Sequence, residues 1–225
     1  MQQEMTLKEA MYARHSVRSY KPDAISAEDA EKLNGFIAEC NAESGLHMQL
    51  VTDCKEAFNT FLNHYGWFKN ACNYVALVGK DDNELDEKCG YYGEKIVLFA
   101  QQIGLGTCWV GGTYNKKKTE FEAAEGEKMS LVILIGYPEN NGKEHKNKPL
   151  SKLCNLTDNS PEWFKNGMQA ALTAPTAVNQ QKFRFELQPD GRVRATGGGS
   201  FGQVDLGIAK YHFEIGSGKD HDIWC

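Results

Sequence analysis

Residues 86–112 read DEKCGYYGEKIVLFAQQIGLGTCWVGG, and the fold follows from how this stretch divides. Ile96, Val97, Phe99, Ala100 and Ile103 recur at helical spacing and predict a long helix over Asp86–Ile103. Gly104-Leu105-Gly106 stops it, as glycine does at helix ends. Thr107–Val110 is then a short extended segment closed by Gly111-Gly112. Upstream and downstream lie two apolar runs, Asn73–Gly79 (NYVALVG) and Ser130–Ile135, which read as buried strands.

Working outward, Thr6–Ala13 reads as a short helix, with Leu7, Ala10 and Met11 at helical spacing. Ser26, followed three residues on by Asp29, resembles a helix cap. The segment Ser26–Cys40 then carries Leu33, Phe36, Ile37 and Cys40 on one face. Leu46–Thr52 alternates like a strand, and Cys54–His64 reads as a further helix. The last third repeats this grammar. A helix over Pro161–Thr173 leads through the loop Ala174–Gln181 into strands Phe183–Leu187 and Arg192–Thr196, turned by Pro189-Asp190-Gly191. A final helix, Val204–Ile215, follows a glycine patch. Gly90 to Gly106 also lies without gaps over Gly202 to Gly218, matching Gly90 with Gly202, Ile96 with Ile208 and Ile103-Gly104 with Ile215-Gly216. Chance agreement of two helix patterns competes with an ancient duplication. The duplication implies two half-repeats, about 1–150 and about 155–225, sharing one domain over 1–225. The expected class is α+β: a mostly antiparallel central sheet flanked by helices.

The chain has 225 residues, 41% of them hydrophobic and 24% charged, which fits a globular domain and argues against a disordered tail or a coiled coil. A formal charge of −5 offers no basic face for nucleic acid. No apolar run approaches the roughly 20 residues that span a bilayer, and the N-terminus MQQEMTLKEAMYARHS has no signal-peptide core. Seven scattered cysteines, an odd number with no C-x-x-C, do not form a disulfide frame. A cytoplasmic protein, binding neither membrane nor nucleic acid, is expected.

Three segments stand out together. Arg14-His15-Ser16-Val17-Arg18 places two guanidiniums and a hydroxyl within one turn, a compact anion site. Taken alone, a solvated basic turn reads as well. Pro175-Thr176-Ala177-Val178-Asn179-Gln180-Gln181 makes a rigid loop of donors and acceptors suited to a heteroaromatic edge. In Gly104 to Gly112, bare glycine backbone lies beside Trp109 and Val110, a possible floor for a flat cofactor.

These motifs resemble those of the FMN-dependent nitroreductases. Arg14, Ser16 and Arg18 match the family's R-x-S-x-R turn, and Pro175 to Gln181 looks like its P-S-x-x-N-x-Q loop with threonine for serine. Residues 94–112 look like its helix–GLGT–W–x–GG stretch, and His145-Lys146-Asn147-Lys148-Pro149 resembles a phosphate-holding segment. The resemblance implies a three-layer α/β/α sandwich and FMN as cofactor. Arg14, His15, Ser16, Lys146 and Lys148 would serve the phosphate, and Arg18 the pyrimidine edge. Trp109, Val110, Gly111 and Gly112 would lie beside the ring. Pro175, Thr176, Asn179 and Gln181 would approach the ring and its side chain from the other half. NADH or NADPH would donate electrons, and a flat nitroaromatic or quinone-like small molecule would accept them by a ping-pong route. The flavin carries the chemistry, so no catalytic side chain and no metal is expected.

One departure is informative. In ordinary members the P-S-x-x-N loop sits soon after the R-x-S-x-R turn and completes a partner's site. Here that position reads Ala38 to Gly45, without proline or paired amides, and the loop lies in the last third. This is similar to a subgroup whose chain looks like a fused, degenerate dimer, implying one FMN per chain and a pseudo-dimeric monomer or weak homodimer. The alternative function is a flavin-binding protein without turnover. Gly197-Gly198-Gly199-Ser200-Phe201-Gly202 also satisfies G-x-G-x-x-G, but Cys225 leaves no room for a second βα unit. His212, His221 and Cys225 match no zinc spacing.

Overall fold

Thr6 opens the first helix by a reciprocal cap. Its hydroxyl accepts from Glu9 N, while the Glu9 carboxylate accepts from Thr6 N at 2.8 Å. The computed structural model describes residues 5–58 and 68–225. Helix α1 (Leu7–Ala13) buries Ala10 and Met11. Helix α2 (Ala27–Ser44) starts at Ser26, whose hydroxyl accepts from Asp29 N, and ends at left-handed Gly45. Strand β1 (Gln49–Val51) and helix α3 (Lys55–Phe58) come next. The helix expected over Cys54–His64 extends outside the described residues beyond Phe58. Strand β2 (Tyr74–Lys80), helix α4 (Leu85–Gln102), strand β3 (Gly106–Val110) and strand β4 (Glu127–Gly136) complete the central unit. Helix α5 (Glu162–Ala171), the hairpin β5 (Arg184–Leu187) and β6 (Val193–Thr196), and helix α6 (Gly202–Ser217) follow.

The sheet is antiparallel throughout, in the order β1-β2-β4-β3. Its two faces are set by the period of two. Val75, Leu77, Leu131 and Ile133 point into a core shared with Ile96 and Val97 of α4, Met168 of α5 and Ile208 of α6. Tyr74, Ala76, Val132, Leu134, Cys108 and Val110 point the other way, onto Ala57 and Phe58 of α3, Tyr114, and Val17 and Tyr20 of the segment after α1. The result is an α+β three-layer fold. The expected strand over Leu46–Thr52 pairs as a strand only at 49–51. Beyond β1, His47 N still donates to Val78 O at 2.8 Å. The β5–β6 pair is a separate antiparallel hairpin. The glycine patch after β6 is thus not part of a parallel dinucleotide-binding unit. Gly197 instead lets Gly202 O approach within 2.3 Å of where a Cβ would stand. Among the described residues, no helix is long and apolar enough to cross a membrane.

Helices α4 and α6 meet where neither has a side chain. A Cβ on Gly90 would stand 2.1 Å from Val204 O, and one on Gly207 would stand 2.1 Å from Glu87 O and 2.7 Å from Tyr91 N. All are backbone atoms, so no rotamer change can make room. Gly207→Ala should therefore destabilise by about 3 kcal/mol. Exposed Gly35, inside α2 with nothing within 4 Å, is the control. Gly35→Ala should stabilise by roughly 0.5–1 kcal/mol. Urea unfolding of the two variants measures both shifts.

Candidate functional site

The glycine crossing brings α6 across the mouth of β3, and a cavity of about 390 Å³ lies between them. Arg14, His15, Ser16 and Arg18 form one wall, and Trp109, Val110, Gly111 and Gly112 form the next. Pro175, Thr176 and Asn179 face them from the loop after α5. Eleven of the fourteen residues singled out in the sequence thus line one space. The other three, Lys146, Lys148 and Gln181, do not.

The reason lies in how two loops are sewn together. Gln181 is buried, and its Nε2 donates to Lys146 O at 2.9 Å while its Oε1 accepts from Lys148 N at 2.7 Å. Lys148 Nζ donates to Gln180 O and Gln181 O, at 2.5 and 3.1 Å, and Asn179 Nδ2 donates to Lys146 O at 2.9 Å. The amides and this ammonium are thus spent on backbone. The same basic loop supplies Lys143 and His145 to the cavity instead. His145 is oriented by donating from Nε2 to Leu172 O at 2.9 Å.

Arg14 sits at the end of α1, with its backbone N–H on Ala10 O. Its side chain is only 3% exposed, and Nε stands 3.7 Å from Glu94 Oε1, too far for a hydrogen bond. That Nε has no hydrogen-bond partner at all. Burial lowers the Arg14 pKa, and the nearby Glu94 charge opposes the change. Glu94, fully buried on α4, also accepts from Trp109 Nε1 of β3 and from His212 Nε2 of α6, each at 2.8 Å. His212 Nδ1 in turn meets Thr173 Oγ1 at 2.8 Å. One carboxylate therefore ties together α1, α4, β3 and α6 behind the cavity. His15, beside Arg14, has its pKa lowered by burial first and by the guanidinium second. The Cys108 thiol is pushed up by burial, against the pull of Arg18 and Arg14.

The segment after α1 is pinned alongside β3, with Val17 N donating to Thr107 O at 2.8 Å. A second clasp shapes the rim. Asp205 of α6 accepts from Ala177 N at 2.9 Å and from Gln180 Nε2 at 2.8 Å, and Gln180 Nε2 also donates to Ser200 O at 2.6 Å. Burial raises the Asp205 pKa, while these hydrogen bonds work to lower it. The clasp holds left-handed backbone at Asn179, φ 54, which tolerates it, and at three residues that do not favour it: Val178 at φ 45, Gln181 at φ 40 and Phe201 at φ 59. Such conformations cost on the order of 1–3 kcal/mol each.

Sequence reasoning missed Phe201, Val204, Asp205 and Ile208, which line the cavity from α6 and its entry. Val204 and Ile208 are one helical turn apart, a signal that was available; the left-handed backbone at Phe201 left none. Phe201 also changes the meaning of Gly111. Its ring stands where a Gly111 Cβ would come within 2.4 Å, so that glycine makes room for phenylalanine, whereas Gly112 is open. The lining combines the cations of Arg14, Arg18 and Lys143 with the apolar side chains of Leu131, Val204 and Ile208.

Glu94→Ala should destabilise the protein by about 3–5 kcal/mol, because it strands the buried guanidinium as well as two polar donors. Glu94→Gln, which keeps the shape and one acceptor, should cost less. Denaturant midpoints of the two variants test this.

Comparison with known proteins bears on what such a cavity belongs to. The sequence model of a protein family described as "Putative TM nitroreductase" matches residues 6–217. Among solved structures, a protein from Thermotoga maritima described as a "putative nitroreductase" superposes with a TM-score of 0.68 at 20% identity, over 96% of this chain and 85% of that one. An NADH dehydrogenase/NAD(P)H nitroreductase from Parabacteroides distasonis superposes at 0.51 with 19% identity, over 68% of this chain and 98% of that one. NADPH:FMN oxidoreductase from Vibrio harveyi, complexed with NAD+, superposes at 0.51 with 16% identity, over 70% and 79%. No curated protein matches the sequence. At these identities the structures speak for the fold, and the sequence match spans nearly the whole chain: the protein belongs to the family described as "Putative TM nitroreductase".

Proposed function

We propose that this chain is an FMN-dependent oxidoreductase that takes electrons from NADH or NADPH and delivers them to a flat nitroaromatic or quinone-like acceptor, the two substrates using one site in turn. The observation that carries the reading is a single cavity lined both by the Arg14–Arg18 turn and by the Pro175–Asn179 loop. FMN is anionic at one end and a flat heteroaromatic at the other, and the Arg14–Arg18 turn lines the cavity with two guanidiniums and a hydroxyl that suit the anion. The volume of about 390 Å³ lies in the range of small-molecule sites.

When bound, FMN supplies the hydride chemistry. The protein's part is to bind, orient and exclude water. Arg14, Ser16 and Lys143 would hold the phosphate, and Arg18 would stand by the ring's polar edge. Trp109, fixed through its indole N–H by Glu94, would form a rigid wall, and Pro175 and Thr176 would close the site from the other side. Because residues before 150 and after 155 meet in this single cavity, we further propose two half-repeats, a fused pseudo-dimer with one cofactor per chain. The seven cysteines are all free thiols, which fits the reducing cytoplasm.

The visible spectrum of the purified protein, with a count of flavin per chain, is the direct test; one FMN per chain is expected. Arg14→Ala should weaken FMN retention roughly tenfold or more, the worth of a charged hydrogen bond. Asn179→Ala, in the other half, should weaken it too by loosening the loop. Unchanged flavin content in both variants would refute the shared site. Flavin without NADH or NADPH oxidation in the presence of a quinone would instead indicate a binding protein.

A further inference from the structure

We infer that Val178 and Phe201 form an apolar jaw at the cavity mouth that grips the flat, uncharged ring of the electron acceptor. The placement of that ring beside the cofactor rests on the function proposed above, but the jaw itself rests on the following geometry. Val178 is 98% exposed, so its side chain buries almost nothing within the chain, and its β-branched backbone is left-handed, at φ 45 and ψ 30. Neither packing nor local preference accounts for valine there, since glycine or asparagine would take the same conformation with less strain. Phe201 repeats the pattern: it is 40% exposed, left-handed, and stands on the bare backbone of Gly111. Both side chains line the same cavity.

The two sit on different loops, yet they are one rigid rim. Gln180 and Asp205 join the loop of Val178 to the loop of Phe201 through the hydrogen bonds from Gln180 Nε2 to Ser200 O and Asp205 Oδ2 and from Ala177 N to Asp205 Oδ1. Strain of this kind persists only where the surroundings over-determine it, and it gathers at ligand clamps. The chemistry of the occupant follows from charge. The Asp205 carboxylate at the rim is already occupied by its two donors. What the jaw offers is an aromatic face and a branched aliphatic edge, which suit a neutral planar ring rather than an anion.

The test uses Phe201→Ala, Phe201→Leu and Val178→Gly in the full chain, with 2,3-dimethyl-1,4-naphthoquinone as the planar probe and ferricyanide as an acceptor without a ring. In the flavin-loaded protein, the ratio of kcat/KM for the quinone to that for ferricyanide should fall about tenfold in Phe201→Ala, through KM. Phe201→Leu should fall less, keeping apolar bulk without the ring. Val178→Gly should lower the same ratio while its thermal midpoint rises, because the strain is relieved as the contact is lost. An unchanged ratio in Phe201→Ala and Val178→Gly, in a wild type that carries FMN, would overturn the jaw and leave the proposed function standing. If the wild type carries no flavin, the function fails and the jaw is decided by equilibrium dialysis of the quinone against the protein alone. Binding weakened several-fold in both variants upholds it, and unchanged or absent binding overturns it.

Discussion

The molecule turns on the close approach of α4 and α6 at Gly90 and Gly207. With backbone nearly touching backbone, Glu94 of one helix reaches His212 of the other, and both stand behind Trp109. The same approach swings Val204 and Ile208 over the end of β3, giving the cavity its apolar side. A methyl group at either glycine would push the helices apart and separate these partners together. Packing and site are thus one constraint: the fold can form its core only by forming this wall.

Behind the cavity, electrostatics follow from that geometry. Glu94 has no exposure to water and compensates by accepting two hydrogen bonds while lying close to a guanidinium. A buried carboxylate divided among three elements is a poor source of net stability but a strong specifier of arrangement, because any displacement leaves a charge unpaired. Arg14 lies near it at 3.7 Å, its Nε buried without a hydrogen bond.

Much of this was legible in the sequence, and the exceptions have physical causes. The helix, glycine stop and short strand of residues 85–110 were readable because periodicity and glycine act locally. Strand β1 was read too long because alternation runs over 46–52 whereas pairing with β2 covers only 49–51, and the extent of pairing is set by the partner. Resemblance to a phosphate-holding segment nominated Lys146 and Lys148 in the basic loop. The direction in which a loop turns its side chains depends on Gln181, more than thirty residues away, so the choice of Lys143 and His145 was hidden. Phe201 was overlooked because its neighbours invited a reading as a nucleotide motif, and its role exists only once Gly111 is beneath it.

The clasp of Gln180 on Asp205 has a consequence for how such a protein can diversify. Both rim segments lie after α5 and are fastened to each other, whereas the anion-facing turn is fastened to the sheet. The two sides of the cavity are therefore anchored to separate parts of the chain. Exchanging the segment from Pro175 to Asp205 as a cassette would thus reshape one side of the cavity as a unit, while the turn held against the sheet stays in place.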